Sequence, residues 1–399
     1  MNDWQQKPLL SSADGEHRRP TTATKILKAP FPYMGAKSKV AGLVWSRLGN
    51  VDNYVEPFMG SLAVLLKRPA DHFLGGYRVE TANDKSHHIT NFWRAVRHAP
   101  DEVAEWADSP VSECDLHARH RWLMRSEAAA TFRQKMTEDP DHYDAKVAGW
   151  WCWGLCCWIG SGWCEERGVD WKQVPDFDAD RGENSTTGGR PQLADAYDIG
   201  RGVNSGGGLS VQKPDLTQDR DIGRGVLGSG VIGTCDARRA WLVDWMRRLS
   251  DRLRLVRTCY GHWSRICDSD STITRLGVTG VFLDPPYPTK TKSGTRADGL
   301  YATDNGQDLD ALRDEVLAWC VKWGAVQDTR VAVCGYEGDG YEALVAEHGW
   351  TCESWEASGG YGNQTKGKKG KAANAKRERI WFSPQCLTDT QPDLFAGME

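Results

Sequence analysis

The sequence predicts an α/β protein on a parallel sheet, interrupted by a helical, loop-rich insertion. Short apolar β-like runs alternate with helix-patterned stretches from Ile26 to about Pro100, and the same alternation returns after Asp236. Between them the pattern turns helical and Trp-rich, then glycine-rich. A chain of 399 residues is long enough for two or three domains, or for one large fold with an insertion. With 40% hydrophobic and 26% charged residues it can bury a sizeable core, which excludes wholesale disorder, collagen and coiled coil. The 50 Lys+Arg against 54 Asp+Glu give a net charge of −4, so a nucleic-acid partner would have to be held by a local basic patch.

Residues 1–25 are polar and mixed in charge, and read as a loose tail without the apolar core of a signal peptide. Lys37–Leu48 is expected as a helix and Asn53–Val55 as a short strand running into Glu56-Pro57-Phe58-Met59-Gly60. Ser61–Arg68 is expected to continue as a helix, Gly76–Thr81 as a second strand and Ile89–Arg97 as a helix, with His87-His88 on the surface before it. The insertion spans 101–237. Its longest uncharged run, Val147–Cys164, carries four glycines and is read as a buried helix and turn, since a membrane span wants about 20 mostly apolar residues. Trp150, Trp151, Trp153, Trp158 and Trp163 are expected to form the insertion's own core. Cys152, Cys156, Cys157 and Cys164 lack the paired spacing of a zinc site and read as reduced, buried thiols; no metal is expected.

Within the glycine-rich stretch 178–236, Pro191-Gln192-Leu193 and Asp198–Val203 recur 23 residues later as Pro214-Asp215-Leu216 and Asp221–Val226. A duplicated surface loop is favoured over Arg-tipped loops that touch phosphate. Beyond it, Arg238–Arg254 is expected as a helix, Leu255–Tyr260 and Val278–Leu283 as strands, Leu309–Trp323 as a helix, Arg330–Cys334 as a strand and Tyr341–His348 as a helix. The α/β domain would then be discontinuous, residues 26–100 plus 238–385, with a tail over 386–399.

The strongest chemical signal is Val281-Phe282-Leu283-Asp284-Pro285-Pro286-Tyr287. A buried strand ends in an acid, two prolines and an aromatic, at the strand end where open α/β sheets bind ligands. The prolines stiffen the turn and remove two backbone donors. The Asp284 carboxylate and Pro285 carbonyl then form an acceptor pair suited to an exocyclic amino group, and Tyr287 offers a flat face for a base. Lys366–Arg379 has seven basic residues and one acid, and is read as a phosphate grip through Lys366, Lys368, Lys369 and Lys371 rather than a solvated hairpin tip. Arg201, Arg224 and the Arg238-Arg239 pair are the alternatives.

The Asp-Pro-Pro-Tyr motif resembles the catalytic tetrapeptide of the Dam-like adenine-N6 DNA methyltransferases. In that family's order, Phe31-Pro32-Tyr33-Met34-Gly35-Ala36-Lys37-Ser38-Lys39 looks like the amino-terminal cofactor motif and Glu56-Pro57-Phe58-Met59-Gly60 like the loop after the first strand. Asn83-Asp84-Lys85 looks like the acidic motif after the second strand. The resemblance covers residues 29–98 and 238–383 and is weak over the insertion, where the family places target recognition. It implies a Rossmann-like sheet, S-adenosylmethionine as methyl donor, double-stranded DNA as partner, no membrane, a monomer, and a cytoplasmic setting in a bacterial cell or phage-infected host. Asp284, Pro285, Pro286 and Tyr287 would be catalytic. Tyr33, Gly35, Lys37, Glu56, Pro57, Phe58, Gly60, Asp84 and Asp284 would hold the cofactor. Asp84 would take the ribose hydroxyls, with Glu80 as fallback, and Lys37 could equally be a solvated helix start. One position departs: Leu62 stands where the family commonly has a second glycine, and is expected to crowd the cofactor or shift the loop. Two other readings remain, methylation of cytosine N4 and an inert DNA-binding relative with Leu62 as its lesion.

Overall fold

The computed structural model describes residues 27–33, 37–74, 76, 78–139, 141–158, 163–164, 235–268, 270–287, 309–355 and 377–388. Gly35, the glycine-rich repeat with Arg201 and Arg224, and Lys366, Lys368, Lys369 and Lys371 lie outside the described residues.

Helix α1 (Ala41–Leu48) leads to strand β1 (Asn53–Glu56), two one-turn 3-10 helices (Leu65–Lys67 and Ala70–Phe73) and strand β2 (Val79–Asp84). Five helices follow: α2 (His87–His98), α3 (Pro100–Ala107), α4 (Glu113–Arg125), α5 (Glu127–Glu138) and α6 (Ala145–Cys157). Then come α7 (Cys235–Leu253), β3 (Val256–Tyr260), the short α8 (Ser264–Cys267) and α9 (Asp270–Ile273), and β4 (Thr279–Leu283). The chain continues through α10 (Leu309–Gly324), β5 (Thr329–Tyr336), α11 (Glu342–His348), β6 (Thr351–Ser354) and β7 (Glu378–Phe382).

The seven strands form one sheet in the order β3-β2-β1-β4-β5-β7-β6. The first five are parallel, and β7 lies antiparallel between β5 and β6. The chain builds outward from β1 to β2 and β3, then returns to β4 on the other flank of β1. That reversal leaves a crevice beyond the carboxyl ends of β1 and β4. Strand side chains alternate between the two faces. Tyr54, Phe282, Ala332 and Cys334 join a core with α1, α2, α6 and α7, whereas Val55, Val281, Leu283, Val331 and Val333 join a second core with α10 and α11.

Several expectations change. The turn 37–40 precedes α1, with Lys37 O accepting from Val40 N and Ala41 N at 3.2 and 3.0 Å, so the helix begins later than expected. Ser61–Arg68 is not an α-helix, because Leu62 has φ +52° and breaks the right-handed path. The second strand ends at Asp84 rather than Thr81. The sheet gains an antiparallel pair, β6 and β7, that the alternation pattern does not mark as strands: β6 is a four-residue, largely exposed edge without clear alternation. The tryptophans of 150–163 do not make a separate core. Trp151, Trp153 and Trp163 share one cluster with Phe31, Phe92 and Trp93, and Phe31 lies 5.0 Å from Trp151 and 5.1 Å from Phe92. His87 and His88 are not surface residues before a helix but the first turn of α2, capped by the Ser86 hydroxyl. His88 is buried, its ring stacked near Trp151 and Phe132, and burial pushes the His87 imidazole down to about 4. Among the described residues, no helix is long and apolar enough to cross a membrane.

Glu80 is interior to β2 and holds two guanidiniums, Arg252 at 2.6 and 2.8 Å and Arg68 at 3.3 Å. It is therefore tied down inside the fold and not available as a ribose acceptor. Arg238 and Arg239, at the start of α7, pair with Asp108 at 3.1 and 3.7 Å. Removing one member of a buried ion pair leaves an uncompensated charge, so Glu80→Ala is expected to lower stability by about 3–5 kcal/mol. Urea titration followed by circular dichroism measures it.

Candidate active-site cleft

Six chain segments meet at the carboxyl edge of the sheet. The loop after β1 is fixed first. Met59 N donates to Asn83 O at 2.8 Å, Gly60 N donates to Asp84 Oδ2 at 3.0 Å, and Trp93 Nε1 donates to Gly60 O at 2.9 Å. Gly60 has φ +40°, and a Cβ there would meet the Tyr33 ring at 2.6 Å, so the position needs glycine on both counts. Asn83 Nδ2 donates to Pro57 O at 3.1 Å and to Gly261 O at 3.0 Å, which ties the β1 loop to the turn after β3.

Three acids border this space. Burial pushes the Asp84 carboxyl up to about 6, partly offset by the amides of Ser86 and Gly60 that donate to it. Burial pushes Glu56 up to about 8, although Tyr54 Oη and Leu65 N donate to its Oε2 at 2.9 and 3.2 Å. Asp284, one residue past β4, receives both Lys37 Nζ (2.9 Å) and Tyr287 Oη (2.8 Å) on Oδ1. Lys37 is 2% exposed, so it is not a solvated helix start. Burial alone would lower its pKa, but Asp284, with Cys334 and Glu378, outweighs that and holds the ammonium above its usual range.

Together these elements enclose an open cleft of about 920 Å³, counting the space that opens to solvent. Of the residues singled out in the sequence, Tyr33, Lys37, Glu56, Pro57, Phe58, Gly60, Asp84, Asp284, Pro285 and Pro286 all line it. Tyr287 does not. Its ring is buried, 4.7 Å from Tyr336 and 5.1 Å beneath the Lys37 ammonium, with its hydroxyl on Asp284. The open aromatic face expected of Tyr287 is thus turned inward in this structure. The cleft also includes Phe282 of the β4 motif, and three residues that the sequence did not mark: His262 and Trp263 after β3, and Leu312 of α10. Phe58 and Trp263 stack at 5.9 Å with 28° between the planes. Their signal was positional: Gly261-His262-Trp263 follows β3 as Glu56–Gly60 follows β1, but no distinctive residue marks that turn.

Two cleft residues carry buried polar atoms without a hydrogen-bond partner among the described residues, Asn83 Oδ1 and Trp263 Nε1. Buried polar atoms are nearly always paired, so such orphans mark places a ligand can satisfy. Among the described residues no group of three His, Cys, Asp or Glu could hold a metal ion. No protein-family model matches the chain, and no curated protein is significantly similar to it.

Leu62 does not crowd the cleft. It is 1% exposed, belongs to the hydrophobic core and is absent from the lining, and its amide donates to Met59 O at 2.6 Å. The left-handed φ aims the side chain inward. For Leu62→Gly, relief of left-handed strain is worth about 1–2 kcal/mol, but deleting a buried leucine costs about 3–5 kcal/mol. The variant is expected to be less stable than the wild type by about 1–4 kcal/mol, read as a lower urea midpoint.

Proposed function

We propose that the protein is an S-adenosylmethionine-dependent DNA adenine-N6 methyltransferase, similar to the Dam-like family. One observation carries the reading: Asp284-Pro285-Pro286, the loop Glu56–Gly60 and Asp84, far apart in sequence, border a single cleft at the carboxyl ends of adjacent strands β4, β1 and β2. The strand order, with its reversal beside β1 and its antiparallel β7, supports a Rossmann-like methyltransferase sheet. The helical insertion and the basic segment 366–379 are the parts assigned to DNA.

The lining suits the donor. Glu56 and Asp284 offer carboxylates to a sulfonium and an ammonium, Asp84 ends the strand where α/β folds place the acid that takes ribose hydroxyls, and the Phe58–Trp263 stack suits a purine. S-adenosylmethionine would supply a methyl on a sulfonium leaving group, whose carbon–sulfur electron pair goes to sulfur as a neutral thioether. The chain's own task is to present an amino nitrogen. Lys37 and Tyr287 both bond to Asp284 Oδ1, and the other carboxylate oxygen and the Pro285 carbonyl would each accept one of the two amino hydrogens. The nitrogen lone pair is then held toward the methyl, and the carboxylate favours the positive charge that grows on nitrogen before its proton passes to solvent. A target base inside a duplex must be flipped out to reach this point. For Tyr287 to stack on it, the ring must leave Asp284, so stacking and DNA entry would be coupled. The inward course of Leu62 weighs against the inert reading, which needed that residue as a lesion.

Mass spectrometry of nucleosides from DNA incubated with the protein and S-adenosylmethionine is expected to show N6-methyladenine. N4-methylcytosine in its place would reassign the base, and absence of both would sink the reading. Asp284→Ala is expected to lower the methylation rate at least 100-fold, as loss of a preorganised electrostatic group does; retention of a tenth of the rate would place the chemistry elsewhere. Glu56 is protonated in the free protein below its pKa of about 8 and would ionise against a cationic ligand. Cofactor affinity is therefore expected to rise with pH up to that value, by at most about tenfold per unit. Calorimetry in buffers of different ionisation enthalpy should show a proton released on binding.

A further inference from the structure

Tyr336 closes β5, and its backbone is fixed on both sides. It pairs with Glu378 in the β5–β7 register, its amide donates to Asp339 Oδ2 at 3.2 Å, and its carbonyl accepts from the Asp339 amide at 3.1 Å. The side chain lies on the same face of β5 as Ala332 and Cys334, half-buried against the core that contains Tyr287. The two tyrosine rings meet edge to face, with centres 4.7 Å apart and planes at 64°. The Arg377 guanidinium lies 5.5 Å from the centre of the Tyr336 ring, and its Nη2 donates to the Glu337 carbonyl at 2.6 Å. Burial pushes the Tyr336 phenol up to about 12, so the ring is neutral around neutral pH. Tyr287 is touched in its inward position by Asp284, which accepts from its hydroxyl at 2.8 Å, by the Lys37 ammonium 5.1 Å from its centre, and by the Tyr336 edge. Asp284 and Lys37 line the cleft, whereas Tyr336 does not. A base arriving at Asp284 can replace the first two contacts with its own; the contact with Tyr336 can only be given up.

We propose that Tyr336 is a positioning residue for Tyr287: its edge-to-face contact holds the Tyr287 ring inward and so sets how often the stacking face is presented to a target base. The proposal rests on the methyltransferase reading of the cleft. An edge-to-face pair favours the state that makes it by about two- to tenfold beyond the area it buries. A target that binds only the outward ring has its apparent affinity reduced by the fraction of the protein in that state. Loss of the contact should therefore tighten apparent DNA binding by the same factor. The cofactor end of the cleft, which Tyr336 does not line, should not respond.

The test has two arms on the full chain. In the first, without cofactor or DNA, 3-fluorotyrosine is placed at position 287 alone, and the solvent isotope shift of its ¹⁹F resonance between light and heavy water reports how exposed the ring is. Tyr336→Leu is expected to raise that shift, and Tyr336→Phe, which keeps the ring, to leave it as in the wild type. Equal shifts in Tyr336→Leu and the wild type overturn the proposal. Circular dichroism checks the fold of each variant, and Tyr336→Met takes the place of Tyr336→Leu if the latter does not fold. In the second arm, Tyr336→Leu is expected to lower the KM for DNA by about two- to tenfold, with kcat and the S-adenosylmethionine Kd unchanged and Tyr336→Phe behaving as the wild type. A merely structural role would lower kcat or weaken both ligands instead. A KM for DNA that stays the same or rises in Tyr336→Leu overturns the proposal. A wild-type chain that methylates no DNA sinks the methyltransferase reading, while the fluorine arm still decides whether Tyr336 holds Tyr287 inward.

Discussion

Asp84 holds the floor of the cleft at the one point where three loops converge. Its Oδ2 accepts the Gly60 amide, its Oδ1 accepts the Ser86 amide, and its backbone carbonyl accepts from Gly261. The loop after β1, the entry to α2 and the turn after β3 are thereby referred to one residue. Asn83 adds the cross-tie from Pro57 to Gly261. A buried carboxylate is costly to desolvate unless donors surround it, and here those donors are the amides that give the cleft its shape. The same bonds that make the charge tolerable make the loops rigid.

The distribution of charge in the cleft follows from that geometry. Glu56, Asp84 and Asp284 converge on one space with Lys37 as the cation bonded among them. Asp284 has its partner at 2.9 Å, whereas burial lifts both Glu56 and Asp84. A site with more carboxyl groups than cations is poised for a positively charged ligand, which would favour ionisation of the groups that burial disfavours. Tyr287 belongs to the same economy of bonds: by donating to Asp284 it orients the carboxylate, and its ring covers the Lys37 ammonium.

The aromatic helices belong to the architecture of the site as much as to any insertion. Phe31 packs against Phe92, Trp93 and Trp151, and Cys152 and Cys156 both donate to the Pro30 carbonyl. The segment before Tyr33 is therefore anchored from the α6 side, and Tyr33 in turn rests against Gly60. Helix α6 can approach α3 closely because a side chain at Gly149 would meet Trp106 at 2.4 Å. Small residues among large rings let helices carrying many tryptophans pack at interior density.

Much of the site was legible because it is written in local chemistry. An apolar strand ending in Asp284-Pro285-Pro286, the glycine at 60 and the acid at 84 signal strand ends and tight turns by residue type alone, and the parallel alternation fixes which edge they share. Most long helical stretches were also legible from apolar periodicity, but Ser61–Arg68 was not, because the left-handed φ of Leu62 breaks the helix that its residue types suggest. What the sequence could not determine depends on partners distant along the chain. Whether Lys37 faces solvent or Asp284 is decided by a fold that joins two residues far apart along the chain. The role of Glu80 depends on Arg68 and Arg252, which reach it from outside its own strand. Leu62 looked like an obstruction because its type was visible and its φ was not: only the packed structure turns it into the core. Sequence by itself determined the α/β class and the chemical groups at the strand ends, since these follow from nearest neighbours; tertiary structure decided which charges meet, which rings are covered and which acids stay protonated, since those depend on burial and on contacts that no local pattern encodes.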